Sequence, residues 1–313
     1  MNYMQLLDDI RTNVAKNMVG KRKETDLILI AMLCGGHVLV EDVPGLGKTT
    51  MVSSLAQSLG CTFRRIQFTP DVLPSDITGF TMYNMKSGEQ EVHTGSIMSQ
   101  IVLADEINRT SPKTQSALLE AMQEGQVSID GKTYPLPRPF IVLATQNPVE
   151  LVGTYPLPEA QMDRFLLCIH MGYPNEEEEV EILTRHQNSA SQPSLKPVAT
   201  AGQVLLLQEA LDHVRCSTAV KQYIVRLVEA TRKHPDVQLG VSPRGSIALM
   251  RASMAMAMME GRGYVIPDDV QALAIPVLSH RLVMTSQAML EKIDPLHVLQ
   301  KVLTTVPVPR VSS

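Results

Sequence analysis

The 313-residue chain carries 28 basic and 32 acidic side chains, so it has no basic field of the kind that attracts nucleic acid or an anionic membrane surface. Its four cysteines, Cys34, Cys61, Cys168 and Cys216, show no C-x-x-C spacing, which suits buried thiols in a reducing cytosol better than disulfides or zinc. Met1 to Arg11 contains Asp8 and Asp9 and lacks the form of a signal peptide, and the apolar stretch Leu27 to Leu33 is too short to span a bilayer. The expectation is a soluble cytoplasmic protein, long enough for two domains.

In chain order, amphipathic helices are predicted from about Tyr3 to Lys16 and from Lys21 to Cys34, the second ended by Gly35-Gly36. The apolar run His37 to Val40 reads as a strand, followed by a glycine loop and a helix over Thr49 to Ser58. Thr62 to Phe68 reads as a strand, and residues 76–99 as a turn-rich, hairpin-like excursion. Ile101 to Ala104 is a short apolar run of the kind buried in parallel sheets, and Pro112 to Gln123 is a helix with proline in its first turn. Val127 to Tyr134 alternates around Asp130-Gly131, a hairpin signal. Phe140 to Ala144 and Phe165 to His170 complete the strands, and strands alternating with helices argue a doubly wound parallel sheet. Beyond Gly172, Asn175 caps a helix whose first turn is the acid run Glu176 to Glu179; carboxylates there favour the positive end of the helix dipole. Residues 188–200 read as a loop. Helices follow at about 202–214, 217–234, 242–260, 267–280 and 294–305, with no sheet. The boundaries expected are 1–172 for the α/β domain, with inserts at about 76–99 and 126–138, then 173–200 for a linker and first lid helix, then 201–313 for a helical lid.

The chemistry concentrates at strand ends. Asp42-Val43-Pro44-Gly45-Leu46-Gly47-Lys48-Thr49-Thr50 lies between a strand and a helix, the context of a phosphate-binding loop. There backbone N–H groups surround a β-phosphate, Gly45 and Gly47 allow close approach, Lys48 reaches the β/γ oxygens and Thr49 holds Mg²⁺. Asp42 stands where the general pattern has its first glycine. Asp105-Glu106 follows the strand Ile101 to Ala104, at the edge where ligands of open α/β sheets bind. Asp105 suits Mg²⁺ and Glu106 suits polarising a water, although Asp-Glu after a strand is also common at a helix start. Thr145-Gln146-Asn147-Pro148 leaves the next strand, so Asn147 can orient that water; an ordinary Asn-Pro turn is the plainer reading. Arg164 opens the last strand and is expected at the edge of the sheet far from its own lid, able to reach a phosphate on a neighbouring copy. Arg244 follows Ser242-Pro243 at a helix N-terminus, where a cation is disfavoured by about 0.3–1 kcal/mol and a bound anion would offset that.

The order of these motifs resembles that of AAA+ ATPases, and within them the MoxR family. The carrying stretches are Glu41 to Thr49, Ile66 to Asp71 with Leu73 to Asp76, Ala104 to Arg109, Lys113 to Met122, Ala144 to Pro148, and Gly153 to Gln161 leading to Asp163-Arg164-Phe165. Asp42 is familiar in that family. The resemblance implies a five-stranded sheet of order 5-1-4-3-2 with a helical lid. Lys48 and Thr49 look like the Walker A pair, Asp105 and Glu106 the Walker B pair, Asn147 sensor 1, Arg164 the arginine finger and Arg244 sensor 2, while Met18-Val19-Gly20 would lie against adenine. The two excursions resemble the helix-2 and pre-sensor-1 inserts. ATP and Mg²⁺ are the implied ligands. A ring, usually a hexamer, is the implied working form, and a protein client, in this family often one with a von Willebrand factor A domain, the implied partner. On the residues alone, an ATPase subunit of a metal-chelatase-like complex and a nucleotide-gated scaffold with negligible turnover remain open. A DNA motor or transcription activator is disfavoured by the charge-neutral tip Asp130-Gly131-Lys132 and by the lack of a Gly-Ala-Phe-Thr-Gly-Ala loop in 76–99.

Overall fold

The computed structural model describes residues 3–43, 45–86, 88–147, 153–188 and 194–309; Pro44 and Pro148 lie outside these. Helices α1 (Tyr3–Ala15) and α2 (Arg22–Leu33) precede the strand β1 (Val38–Glu41), which leads into α3 (Lys48–Ser58) and β2 (Phe63–Gln67). A helical turn, α4 (Pro74–Thr78), starts the first excursion and runs into the hairpin β3 (Gly79–Asn84) and β4 (Glu89–Thr94). Then come β5 (Ile101–Asp105), α5 (Pro112–Glu124), the hairpin β6 (Gln126–Ile129) and β7 (Lys132–Pro135), β8 (Ile141–Gln146), α6 (Glu159–Met162) and β9 (Leu167–Ile169). The remaining elements are α7 (Glu176–Asn188), α8 (Ala201–Leu211), α9 (Thr218–Arg232), β10 (Val237–Leu239), α10 (Pro243–Met259), α11 (Pro267–Leu278), β11 (Val283–Met284), α12 (Ser286–Leu290) and α13 (Pro295–Thr305).

The main sheet is parallel with order β2-β5-β8-β1-β9, the predicted 5-1-4-3-2 read from the other edge. Alternation along each strand divides its residues between two apolar layers. Val38, Val40, Ile101, Leu103, Leu143, Leu167 and Ile169 pack with α1, α2, α3 and the helices after Ala201 in one layer. Leu39, Val102, Ala104, Val142 and Cys168 pack with α5 and the second hairpin in the other. The lid helices therefore share a core with one face of the sheet.

Local signals explain most boundaries. Asn175 Oδ1 accepts the Glu178 N–H and Glu178 Oε2 accepts the Asn175 N–H, both at 2.9 Å, so the acid run begins with a reciprocal cap. Ser111, Thr200, Ser217, Ser242 and Asp294 cap five further helices through their side chains. The expectation of a lid without a sheet is corrected: β10 and β11 form a short antiparallel pair, Val237 opposite Met284. The pair is two or three residues long, too short to show a period, and only the fold brings its strands together. Among the described residues no helix is long and apolar enough to cross a membrane.

His37 is buried at the start of β1, its Nδ1 accepting the Val142 N–H at 3.1 Å and its Nε2 lying 3.0 Å from Met122 O. Burial lowers its pKa from 6.5 to about 4, against a hydrogen bond to Met122 that raises it, with Arg244 adding to the lowering. Above pH 6.5 both folded and unfolded chains hold a neutral ring; below it only the unfolded chain takes up the proton. Stability should thus fall as pH drops from 6.5 towards 4, by on the order of 3 kcal/mol from this one group. The urea midpoint of His37→Gln should depend less steeply on pH across that window than that of the wild type. Parallel slopes would show that His37 does not carry the effect.

Candidate nucleotide site

Strands β1, β5 and β8 end side by side, and their carboxyl ends open a cleft of about 220 Å³. Asp42, Gly45, Gly47, Lys48, Thr49, Thr50, Asp105, Glu106 and Asn147 line it, together with Arg65, Thr145 and Gln146. Gly45 and Gly47 take φ of 90° and 81°, values that strain any residue with a Cβ. Gly47 also precedes α3, whose first intrahelical bond runs from Met51 N–H to Gly47 O, so the preceding N–H groups have no helical acceptor. N–H groups that point outward from the positive end of a helix favour an anion.

Lys48 Nζ donates to Asp42 O at 2.9 Å. Desolvation lowers its pKa, and Asp42, Asp105 and Glu106 oppose that shift, so the ammonium stands amid three carboxylates. Asp105 Oδ1 accepts from Thr145 Oγ1 at 2.6 Å, and its Oδ2 accepts from Arg65 Nε at 3.1 Å and Nη2 at 2.5 Å. The Thr49 hydroxyl makes no hydrogen bond with any described residue. A free hydroxyl beside a carboxylate is an oxygen donor set suited to a hard cation, so these residues fit Mg²⁺.

Glu106 has φ 58° and ψ 49°, a left-handed conformation that costs a residue with a Cβ about 1–2 kcal/mol. Several bonds hold it there. Its N–H donates to Thr145 Oγ1 at 2.8 Å, and its Oε2 accepts from Gln67 Nε2 at 2.8 Å and Arg109 Nη1 at 3.0 Å. Strain maintained by a network at a cleft is a sign of function. Asn147 stands at the end of β8, and its carbonyl accepts from Asn108 Nδ2 at 3.4 Å.

Of the other predicted residues among those described, Asp42 lines the cleft and the rest stand outside it. Asp42 turns its carboxylate out of the loop, where Oδ2 accepts from Met171 N–H at 2.5 Å and Gly172 N–H at 3.0 Å, and Oδ1 from Val43 N–H at 3.1 Å. It anchors the loop to the exit of β9. Leu46 packs against the core. Gly20 lines an adjoining cavity of about 340 Å³ with Met18, and Met18 Cε lies 3.5 Å from where a Cβ on Gly47 would be. Val19 lines neither cavity. Arg164 and Arg244 also stay outside the cleft, Arg244 exposed at the start of α10. One expectation is overturned. β9 is the edge strand, but its approach is not far from its own lid, because Asp163 beside Arg164 pairs with Arg281 of the lid at 2.7 Å. The lid folds back under that edge.

Arg65, Gln67 and Thr145 were missed by sequence reasoning. Alternation in β2 puts Arg65 and Gln67 on one face, but the Gln67–Asp105 register that brings them to the cleft is a pairing fact. Pairing of β1 with β9 also assembles Glu41, Cys168 and His170, whose ligand atoms lie within 4.8 Å of one another. Those groups satisfy one another: His170 Nδ1 is 2.8 Å from Glu41 O, and burial with the adjacent Glu41 pushes the Cys168 thiol well up.

Residues 37–167 match the family described as "ATPase family associated with various cellular activities (AAA)", and residues 229–302 match its lid domain. The protein YeaC of Bacillus subtilis is 54% identical, over 97% of this chain and 95% of its own. Chaperone MoxR1 of Mycobacterium tuberculosis is 45% identical, over 96% and 81%. The crystal structure of a putative ATPase from Cytophaga hutchinsonii superposes with a TM-score of 0.93 at 41% identity, covering 98% of this chain and 96% of that one.

Thr145 is buried and serves both Asp105 and Glu106. Thr145→Val, near-isosteric, would leave the Glu106 N–H without its acceptor, and chemical denaturation should show a loss of about 1–3 kcal/mol. An unchanged midpoint would mean that this hydroxyl does not hold the strained residue.

Proposed function

The chain belongs to the MoxR family of AAA+ ATPases, and from that footing we propose that it hydrolyses ATP as a ring to remodel or activate partner proteins.

 The observation that carries this reading is the cleft itself, where a glycine loop with Lys48 and Thr49 faces Asn147 and the two carboxylates Asp105 and Glu106, which Arg65, Thr145 and Gln67 hold at 2.5–3.1 Å.

The N–H groups at the start of α3 and the Lys48 ammonium would take the β- and γ-phosphates, and Lys48 would exchange its bond to Asp42 O for a phosphate oxygen. Thr49 and Asp105 would hold Mg²⁺, which when bound neutralises phosphate charge. Glu106 is the base: freed from Gln67 and Arg109, its carboxylate polarises the attacking water, and Asn147 orients that water. Met18, Val19 and Gly20 would flank adenine, and Arg244 would meet the phosphates from the lid. Arg164, whose guanidinium has no hydrogen bond or ion pair with a described residue, would serve the site of a neighbouring subunit, which calls for a ring such as a hexamer. Exposed Phe80, Met82, Tyr83 and Met85 on the first hairpin offer an apolar surface for a client, in the family's manner one with a von Willebrand factor A domain. Four free thiols suit the cytoplasm.

Lys48→Ala should abolish ATP binding in equilibrium titration, and undiminished affinity would refute the loop's assignment. Glu106→Gln should bind ATP and lose turnover; hydrolysis at the wild-type rate would remove Glu106 from its role. An arginine finger supplied in trans is worth about 10³–10⁵ in kcat, so activity per subunit should rise with protein concentration. Mixing Lys48→Ala with Arg164→Ala should restore some activity, since the second binds ATP and borrows Arg164 from the first. No recovery in mixtures shown by light scattering to co-assemble would count against a finger in trans.

A further inference from the structure

One carboxylate ties the turn that carries Arg164 to the helix that carries Arg244. Asp163 Oδ1 accepts from Arg281 Nε at 2.7 Å, and its Oδ2 accepts from Ser242 Oγ at 3.2 Å. Arg281, 8% exposed, spreads more of its guanidinium over the same turn, where Nη2 donates to Phe165 O at 2.6 Å and Nη1 to Leu166 O at 3.3 Å, while Nη1 also donates to Val277 O of its own lid helix α11. His280 Nε2 lies 3.2 Å from Phe165 O. The lid thus grips residues on both sides of Arg164 and leaves the Arg164 guanidinium itself unengaged.

Ser242 is the N-cap of α10, its Oγ accepting the Gly245 N–H at 3.4 Å while donating to Asp163. Pro243 and Arg244 follow at once, and a Cβ on Gly245 would stand 3.0 Å from Arg281 Cδ. The start of α10 is therefore seated directly on Arg281. A buried ion pair is a poor way to gain stability alone, because desolvation offsets much of its attraction. A planar guanidinium that reaches four acceptors does fix orientation, which a lysine in its place could not.

We propose that Asp163, Arg281 and Ser242 form a coupler between the two arginines of one subunit, so that ATP held by Arg244 sets the position of the Arg164 offered to the next subunit. Asp163, Arg281 and Ser242 are positioning residues. The inference rests on the proposed function, in which Arg164 acts in trans and Arg244 meets the nucleotide.

The test uses full-length subunits mixed in rings, with Arg164→Ala as the subunit that hydrolyses ATP and a second subunit that only donates its arginine. A Glu106→Gln donor keeps its own ATP, whereas a Lys48→Ala donor has an empty site. The occupied donor should restore about tenfold more activity than the empty one, since a misplacement on the order of 1 Å costs up to about 10²-fold. Adding Arg281→Lys or Ser242→Ala to the Glu106→Gln donor should bring the rate down to that of the empty donor. KM for ATP should stay constant, because the hydrolysing subunit keeps its own coupler. Light scattering verifies assembly, and Ser242→Ala, which removes one hydroxyl, carries the reading if Arg281→Lys does not assemble. Equal recovery from occupied and empty donors, or full recovery with Ser242→Ala, overturns the coupling. Failure of every donor to restore activity would instead overturn the role of Arg164 in trans.

Discussion

The strand Val38–Glu41 is hydrogen-bonded along both edges, to β8 and to β9, and its residues alternate between two buried layers. Four residues so enclosed have no freedom to shift register without moving apolar side chains to the wrong face. The loop that leaves the strand must therefore emerge between the ends of β8 and β9. On one side it meets Gln146 and Asn147; on the other, Asp42 fastens it to Met171 and Gly172. An open parallel sheet binds ligands where its crossovers diverge, and here that point coincides with the glycine loop.

The charges at this edge are matched before any phosphate arrives. Arg65 holds Asp105, Arg109 and Gln67 hold Glu106, and Lys48 rests on a backbone carbonyl among the three acids. A triphosphate would compete for the cations and so loosen the carboxylates. Glu106 is poised for that change, because the Thr145 hydroxyl holds its backbone N–H apart from the bonds that its carboxylate makes. The side chain can turn while the backbone stays.

The lid is bound to the sheet by two kinds of contact with different consequences. Its helices share the apolar layer beneath β1 and β9, which tolerates small sliding because dispersion contacts are undirected. Arg281 and Ser242 on Asp163 are directed, and they fix angles that packing leaves loose. The directed contacts fall beside the two arginines outside the cleft, where orientation matters most.

Local chemistry made much of this legible in the sequence. Short continuous apolar runs marked the buried strands, Ser242-Pro243 and Asn175 marked helix starts, and the glycines with Lys48 and Thr49 marked the phosphate loop, because each depends on neighbours within a few residues. Asp105, Glu106 and Asn147 were found because strand ends in such a sheet share one edge. Arg65, Gln67 and Thr145, the short pair β10–β11, and the position of Arg164 beside its own lid were not legible. The sequence by itself determined the helices, the strands of the main sheet, the fold class and the residues of the loop, since these follow from propensity, period and spacing. Only the tertiary structure decided which side chains support the carboxylates and what Asp163 binds, because those partners lie 39 to 118 residues apart and meet through pairing and packing rather than along the chain.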